Sequence, residues 1–425
     1  MSKPLLGCIA DDFTGGTDLA STLVRGGMRV VQVIGVPRDL NIADADAVVI
    51  ALKTRTVEAA QAVKESLDAL DWLEKAGCEQ FFFKYCSTFD STPEGNIGPV
   101  ADALASALGV DFAIACPAFP ENGRTIYKGY LYVGDVLLSE SGMRNHPLTP
   151  MSDANLVRVL QSQTQAKVGA VHLGDVSRGA EAIVAKFEQL RQGDVKYAIV
   201  DAVSDADLCQ IGRALMGHRL ITGGSGVAMG LPANFRDAGK LSAPTSSAAK
   251  LPRVEGRSIV LSGSCSLATN AQVEAWKASS RPAFKLDPLE LAKGDETILE
   301  AVEWATQQLE SAPVLIYGSA NPDEVKRAQR ELGVEKAGSL MERALAQIAK
   351  TLVDGAEVRK VVVAGGETSG AVVKALDVKA LRIGAPIDPG VPWTIGTAAV
   401  PLALALKSGN FGTEDFFEKA LRCAP

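Results

Sequence analysis

The chain is 425 residues long, 47% hydrophobic and 22% charged, which exceeds what one hydrophobic core usually serves and excludes both extended disorder and a collagen-like chain. A net charge of −7 offers no basic field of the kind a nucleic-acid binder presents, and no uncharged apolar run reaches membrane-spanning length, so neither nucleic acid nor a membrane is expected as a partner. Seven cysteines, an odd number with no C-x-x-C pair, fit a reducing cytoplasm, and the N-terminus lacks the basic and apolar regions of a signal peptide.

Short β-branched or aromatic runs alternate with longer Ala- and Leu-rich segments. Strands are predicted at Leu5–Ala10, Val30–Ile34, Ala47–Ala51, Gln80–Lys84, Phe112–Ala115, Ala170–Leu173, Tyr197–Val200 and Leu220–Thr222, then at Ser258–Leu261, Val314–Tyr317 and Lys360–Ala364. Helical patterns such as Val57–Leu73 and Ile298–Leu309 lie between most of them. This rhythm predicts an α/β fold of two domains, each built on a mainly parallel sheet flanked by helices. Residues 237–256 are rich in Ser, Ala and Pro and read as a linker between an N-terminal domain, 1–236, and a C-terminal domain, 257–425. The polar segment Pro117–Asp153 is too long for an ordinary connection and reads as shaping a site or an interface.

Three N-terminal segments sit at strand ends, where ligands collect in open α/β sheets. Asp11-Asp12-Phe13-Thr14-Gly15-Gly16-Thr17-Asp18 follows the first strand and precedes a helix expected near Leu19. Two adjacent acids there can accept hydrogen bonds from a polyol or hold a metal; the same residues can also be a capped turn. Lys53-Thr54-Arg55-Thr56 offers Arg55 as a fork for a substrate carboxylate, or as an ordinary surface residue. The loop Lys84–Asn96 brings an ammonium, carboxylates and hydroxyls together, among them Lys84, Asp90 and Ser91, as recognition of a hydroxy acid requires. Gly223-Gly224-Ser225-Gly226 could face the interdomain cleft or form a tight strand-to-helix turn, the reading favoured.

Three glycine-bearing segments lie beyond the linker: Ser262-Gly263-Ser264-Cys265-Ser266, Gly365-Gly366-Glu367-Thr368-Ser369-Gly370 and Lys407-Ser408-Gly409-Asn410-Phe411-Gly412. The second opens a helix, where backbone N–H groups bind phosphate and glycines admit it closely. Neither G-x-x-x-x-G-K-[ST] nor G-x-G-x-x-G occurs. His146, His172 and His218 show no metal-ligand spacing, which counts against a zinc enzyme or a Ser-His-Asp hydrolase.

In this order, the Asp-Asp-x-Thr-Gly opening, the Asp-Ser-Thr loop, the Gly-Gly-Ser-Gly turn and the three C-terminal glycine segments resemble the four-carbon acid sugar kinase family over essentially the whole chain. The Tyr85–Pro99 stretch, with Glu94 where threonate-type members carry Arg, is similar to the branch that phosphorylates the C4 hydroxyl of 3-oxo-tetronate. The resemblance implies an acid bound by Asp11, Asp12, Arg55, Lys84, Asp90 and Ser91. It implies ATP bound by Ser262 or Ser264, by Gly365, Gly366, Glu367, Thr368 and Ser369, and by Gly409, with transfer in a cleft between the domains. Mg²⁺ is the expected cofactor beside ATP, its ligands unassigned, with Glu367 a candidate to hold it through water. A carboxylate should orient the hydroxyl and take its proton, Asp12 first, then Asp90 and Asp11. The alternatives are a D-threonate or D-erythronate kinase, an NAD-linked sugar-acid oxidoreductase and a non-catalytic sensor. The sequence leaves a homo-oligomer open.

Overall fold

A computed structural model describes residues 3–37, 42, 44–146, 148–243, 248–397 and 400–425. The chain forms two compact units, Met1–Ala249 and Lys250–Pro425. Residues 244–247 of the expected linker lie outside the described residues.

The strands of the first unit are β1 (Leu6–Ala10), β2 (Val30–Ile34), β3 (Ala47–Ala51), β4 (Gln80–Lys84), β5 (Ala113–Cys116), β6 (Arg124–Tyr127), β7 (Tyr130–Val133), β8 (Val136–Leu137), β9 (Lys167–Val171), β10 (Val195–Val200) and β11 (Leu220–Gly223). The main sheet runs β2-β3-β1-β4-β11-β5-β10-β9 and is parallel throughout. Its strands are nearly continuous buried apolar runs, as expected where helices cover both faces. Helices α1 (Phe13–Arg25), α2 (Ala59–Ala76) and α3 (Ile97–Leu108) supply crossovers. In register, Ala10 lies opposite Ala51 on one side and Lys84 on the other. The segments starting at Asp11, Leu52 and Tyr85 therefore leave one edge of the sheet together.

In the second unit, β12 (Arg257–Ser262), β13 (Ala283–Lys285), β14 (Val314–Tyr317), β15 (Val358–Ala364), β16 (Ala380–Asp388), β17 (Val391–Gly396) and β18 (Leu402–Lys407) run in the order β13-β14-β12-β15-β18-β17-β16. Pairing is parallel from β13 to β18 and antiparallel for β18-β17-β16. Ser262 lies opposite Tyr317 and Ala364, and Ala364 opposite Lys407, so four strands again end at one edge. The unit's scarce aromatics are concentrated in its core, where Trp276, Trp393, Phe416 and Phe417 pack with Val260 and Val362. Each indole N–H is satisfied, by Pro282 O and Ala420 O, at 3.0 Å in both cases.

The α/β class and the mainly parallel sheets are as expected, and four local expectations change. α1 begins at Phe13 rather than near Leu19, because the Asp12 carboxylate accepts from Gly15 N at 3.0 Å and caps the helix early. The strand expected at Ala170–Leu173 ends at Val171, since Asp201 Oδ2 accepts the Leu173 N–H at 2.9 Å where a short helix opens. Within Pro117–Asp153, β6, β7 and β8 form a small antiparallel sheet whose first turn, Lys128-Gly129, has both residues at positive φ, as a two-residue type I′ hairpin requires. Strands β13, β16, β17 and β18 are not among the expected ones. β18 reads Leu-Ala-Leu-Ala-Leu-Lys, a helical composition, yet all of it is buried between β15 and β17, and burial overrides propensity.

The turn after β11 leads into a 3₁₀ helix, Ser225–Gly230, as the glycines suggest. A Cβ on Gly226 would lie 2.5 Å from Ala118 O and 2.8 Å from Leu208 Cδ1. Gly226→Ala is therefore expected to lower unfolding free energy in urea by about 2 kcal/mol, as overpacking typically does. Gly174→Ala, with nothing within 4 Å of the added methyl, should stay within about 0.5 kcal/mol of wild type. Equal losses at the two positions would contradict the packing argument.

Candidate active site

The Asp11 backbone is pinned at the sheet edge. Its N–H donates to Lys84 O at 3.0 Å, and its carbonyl accepts from Thr54 N at 2.9 Å and Arg55 N at 3.2 Å. This brings the Arg55 guanidinium onto the acids. Nε and Nη2 donate to the two Asp11 oxygens at 2.9 Å each, and Nη2 also donates to Asp12 Oδ1 at 2.5 Å. The fork expected to face a substrate carboxylate is thus engaged by Asp11, and among the described residues Nη1 makes no hydrogen bond. Burial works against ionisation of Asp11 and raises its pKa, with Arg55 opposing. Burial has the same effect at Asp12, but the charges of Arg55 and Lys84 outweigh it and hold that carboxyl below its ordinary range. Burial would lower Arg55, and the two carboxylates raise it instead.

Lys84 is enclosed and donates to Tyr85 O at 2.8 Å. A Cβ on Gly15 would stand 2.8 Å from its Nζ, so the ammonium lies against the first turn of α1. Asp18, on the same helix, was in the quoted motif but was given no role. Its Oδ1 is buried without a hydrogen-bond partner among the described residues. Burial pushes its pKa up to about 6, with the Lys84 charge and the Ser225 hydroxyl pulling the other way.

The loop after β4 is held by Asn96, the last residue of the Lys84–Asn96 loop, and by Gln163, which no motif marks. Asn96 Nδ2 donates to Thr54 O at 2.7 Å and Val57 O at 3.0 Å, tying this loop to the one that carries Arg55. Gln163 Nε2 donates to Ser91 Oγ at 2.8 Å, so the enclosed Ser91 hydroxyl already has a partner. Half-buried Asp90 accepts from Thr88 Oγ1 at 2.5 Å. Cys86 links the two groups of residues: burial raises its pKa to about 11, and it feels the charges of Asp90, Arg55 and Lys84.

In the second unit the three glycine loops meet. Ser264 N donates to Ala364 O at 3.2 Å, and Gly365 N to Lys407 O at 2.9 Å. A Cβ on Gly263 would sit 2.2 Å from Thr368 Oγ1, and one on Gly409 would sit 2.3 Å from Ser264 Oγ, so neither position has room for a side chain. Gly365 and Gly366 open the helix Gly366–Ala375; Glu367 is exposed in its first turn, and Thr368 and Ser369 are buried. Of the two serines expected at ATP, Ser262 is enclosed and bonded to Ser319 Oγ at 2.7 Å, whereas Ser264 is half-buried at the loop. Lys407, in the quoted tail but without a role there, is buried under the loops, and burial lowers its pKa to about 7.

Beside Gly263 and Gly318 opens a mostly apolar cavity of about 310 Å³, lined also by Lys285, Asp287, Arg327 and Met341. That volume lies at the lower end of small-molecule pockets. Met341 comes from the long helix Val334–Gly355, far along the chain, and carries no motif that could have marked it. Among the described residues, no three or more His, Cys, Asp or Glu are grouped to hold a metal.

A family model for a sugar-binding N-terminal domain matches residues 6–231, and one for a nucleotide-binding C-terminal domain matches residues 259–417. The 3-oxo-tetronate kinase of Burkholderia multivorans is 62% identical over 421 residues, covering 99% of this chain and 97% of the relative. That of Pseudomonas fluorescens is 61% identical over 421 residues, with the same coverage of 99% and 97%. A solved Salmonella typhimurium LT2 structure, given a provisional tRNA-synthase name, matches with a TM-score of 0.90 at 44% identity over 99% of both chains. A Haemophilus influenzae structure matches with a TM-score of 0.83 at 45% identity, covering 98% of this chain and 99% of that one. Fold and site thus define a two-domain α/β protein with a sugar-binding first half and a nucleotide-binding second half. The chain belongs to the four-carbon acid sugar kinase family and groups with its 3-oxo-tetronate kinases.

Asp18 gives a pH test of the first cluster. Its pKa of about 6 lies above its ordinary 3.8, so between those values the native state keeps a proton that the unfolded chain releases. Stability contributed there falls as pH rises through that window, and the full cost of the buried charge is present above it. Asp18→Asn removes the charge. It should be more stable than wild type at about pH 8, by up to about 3 kcal/mol, with the difference closing by about pH 4. Thermal melts across that range would refute the shift if the difference did not change with pH.

Proposed function

We propose that this protein is an ATP-dependent kinase that phosphorylates the C4 hydroxyl of 3-oxo-tetronate, giving 3-oxo-tetronate 4-phosphate and ADP. The observation that carries the reading is the pairing of two constellations in one chain. One sheet ends in a cluster of two acids, an arginine and a buried lysine, and the other ends in three converging glycine loops. The near full-length relatives carrying that enzyme's name supply the particular acid.

Phosphoryl transfer needs positioning and charge neutralisation more than covalent chemistry by the protein. In this reading the N-terminal unit holds the acid. Lys84 and Arg55 Nη1 supply positive charge to its carboxylate, and the carboxylates and hydroxyls of the 84–96 loop meet its polar groups. The C4 oxygen attacks the γ-phosphorus in line, the bond to the β–γ bridging oxygen breaks, and that oxygen leaves with the electron pair as ADP. The hydroxyl proton passes to a carboxylate, with Asp12 proposed first. What supports Asp12 is its partial exposure and its ionised state beside Arg55 and Lys84. The adenosine end is proposed to occupy the cavity beside Gly318, with the phosphates on the Gly263, Gly365 and Gly409 loops. Mg²⁺ would neutralise phosphate charge, and the exposed Glu367, a hard oxygen donor in the first turn of a loop helix, is the residue proposed to hold it through water. A reducing cytoplasm is proposed from the seven unpaired thiols, and among the described residues no helix is long and apolar enough to cross a membrane.

An ADP-release assay with ATP and each candidate acid tests the reading. The kcat/KM for 3-oxo-tetronate should exceed that for D-threonate or D-erythronate by at least about tenfold, a difference of 1.4 kcal/mol. Preference for either of the other acids would move the chain to a different branch, and no ADP release with any of them would refute the kinase. Asp12→Asn should lower kcat by about 100-fold or more while ADP affinity by calorimetry stays within about twofold. Normal turnover in a folded Asp12→Asn variant would remove Asp12 from its role.

A further inference from the structure

The tail loop after β18 is fastened from below at almost every carbonyl. Lys407 Nζ donates to Ser408 O at 3.1 Å, Gly409 O at 3.0 Å and Thr269 Oγ1 at 2.9 Å, which engages all three of its hydrogens. Gly409 O also accepts from Ser266 Oγ at 2.6 Å and Thr269 Oγ1 at 2.7 Å. The buried Gln272 donates through Nε2 to Phe411 O, Gly412 O and Thr413 O at 3.0–3.1 Å.

In a trans peptide the carbonyl of one residue and the N–H of the next point in opposite directions. Carbonyls drawn inward at Ser408, Gly409 and Phe411 therefore turn the N–H groups of Gly409, Asn410 and Gly412 outward. No cis peptide interrupts this logic, and these three N–H groups have no acceptor among the described residues. The other two have one: Phe411 N donates to Ser408 O at 3.2 Å, and Thr413 N to Asp388 Oδ2 at 2.8 Å. Successive outward N–H groups form a concavity suited to an anion.

We infer that Lys407 and Gln272 are positioning residues of the nucleotide-phosphate site. They hold the carbonyls of Ser408, Gly409, Phe411, Gly412 and Thr413 inward so that the N–H groups of Gly409, Asn410 and Gly412 face phosphate. This rests on the kinase reading above. Lys407 is only 1% exposed, so it acts through the loop and not by touching the nucleotide.

The test uses the full chain and calorimetry with two probes, ADP and adenosine, beside steady-state kinetics. Lys407→Met should weaken ADP binding and raise KM for ATP by at least about tenfold, while adenosine affinity and KM for the acid stay within about twofold. Gln272→Met releases the carbonyls of Phe411, Gly412 and Thr413, and Thr269→Val removes one donor to Gly409 O, both with the lysine retained. They should show the same split, and they carry the test if Lys407→Met does not fold. Wild-type ADP affinity in the folded variants overturns the inference and leaves the kinase standing. Equal losses for adenosine and ADP also overturn it, since they mark general damage to the unit. If the wild-type chain binds no ADP, the kinase reading and this inference fall together.

Discussion

Ala10 stands between Ala51 and Lys84 in a sheet whose strands all run the same way, and Ala364 stands between Ser262 and Lys407 in the second. Both constellations depend on this register. A parallel strand cannot turn straight into its neighbour, so each crossover carries the chain back and the strands of a parallel stretch empty onto the same edge. Residues tens of positions and more apart become neighbours there. β1 is also the point where strand order reverses, with β3 on one flank and β4 on the other. The segments leaving Asp11 and Tyr85 can therefore diverge and leave room between them.

The two edges use different chemistry. The first gathers acids and bases at one sheet end, where Arg55 donates to both acids and the charges of Arg55 and Lys84 hold Asp12 below its ordinary range. Removing one member of such a group leaves its partner as an uncompensated buried charge, which commonly costs about 3–5 kcal/mol. In the proposed reading, stability and recognition therefore share the same residues. The second edge has few charges and relies on backbone N–H groups, which suit phosphate because they are donors fixed in direction. Its glycines serve close packing, with Ser264 Oγ and Thr368 Oγ1 occupying the space that side chains at Gly409 and Gly263 would take. Hydroxy acid and polyphosphate call for these two different surfaces.

How much was legible varies by residue, for physical reasons. Asp11, Asp12, Arg55 and Lys84 stand at the ends of strands that periodicity identifies, and charged groups there are conspicuous against apolar runs. Asp18 and Lys407 stood in the quoted motifs, but nothing local says that one has a buried oxygen without a partner among the described residues and the other lies beneath a loop. Gln163, Asn96 and Gln272 are amides in ordinary helical or loop surroundings. Their importance lies in the carbonyls and hydroxyls they reach across the fold. The expected fork from Arg55 to a substrate met a nearer carboxylate, Asp11, fixed by three backbone hydrogen bonds.

Taken alone, the sequence determines the α/β class, the order of most strands and the identity of the chemistry-bearing loops. These follow from local periodicity and from residues that are costly to place unless a ligand needs them. It does not determine which loops touch, which hydroxyls are already occupied, or that the Leu-Ala run before Lys407 is a buried strand. Those depend on partners distant in the chain, and only the tertiary structure decides which buried groups each side chain satisfies. A lysine in a polar tail and a lysine that holds two backbone carbonyls have the same letters around them. The difference is a set of carbonyls brought within 3.1 Å by a strand, a helix and a loop that meet only when the sheet has formed.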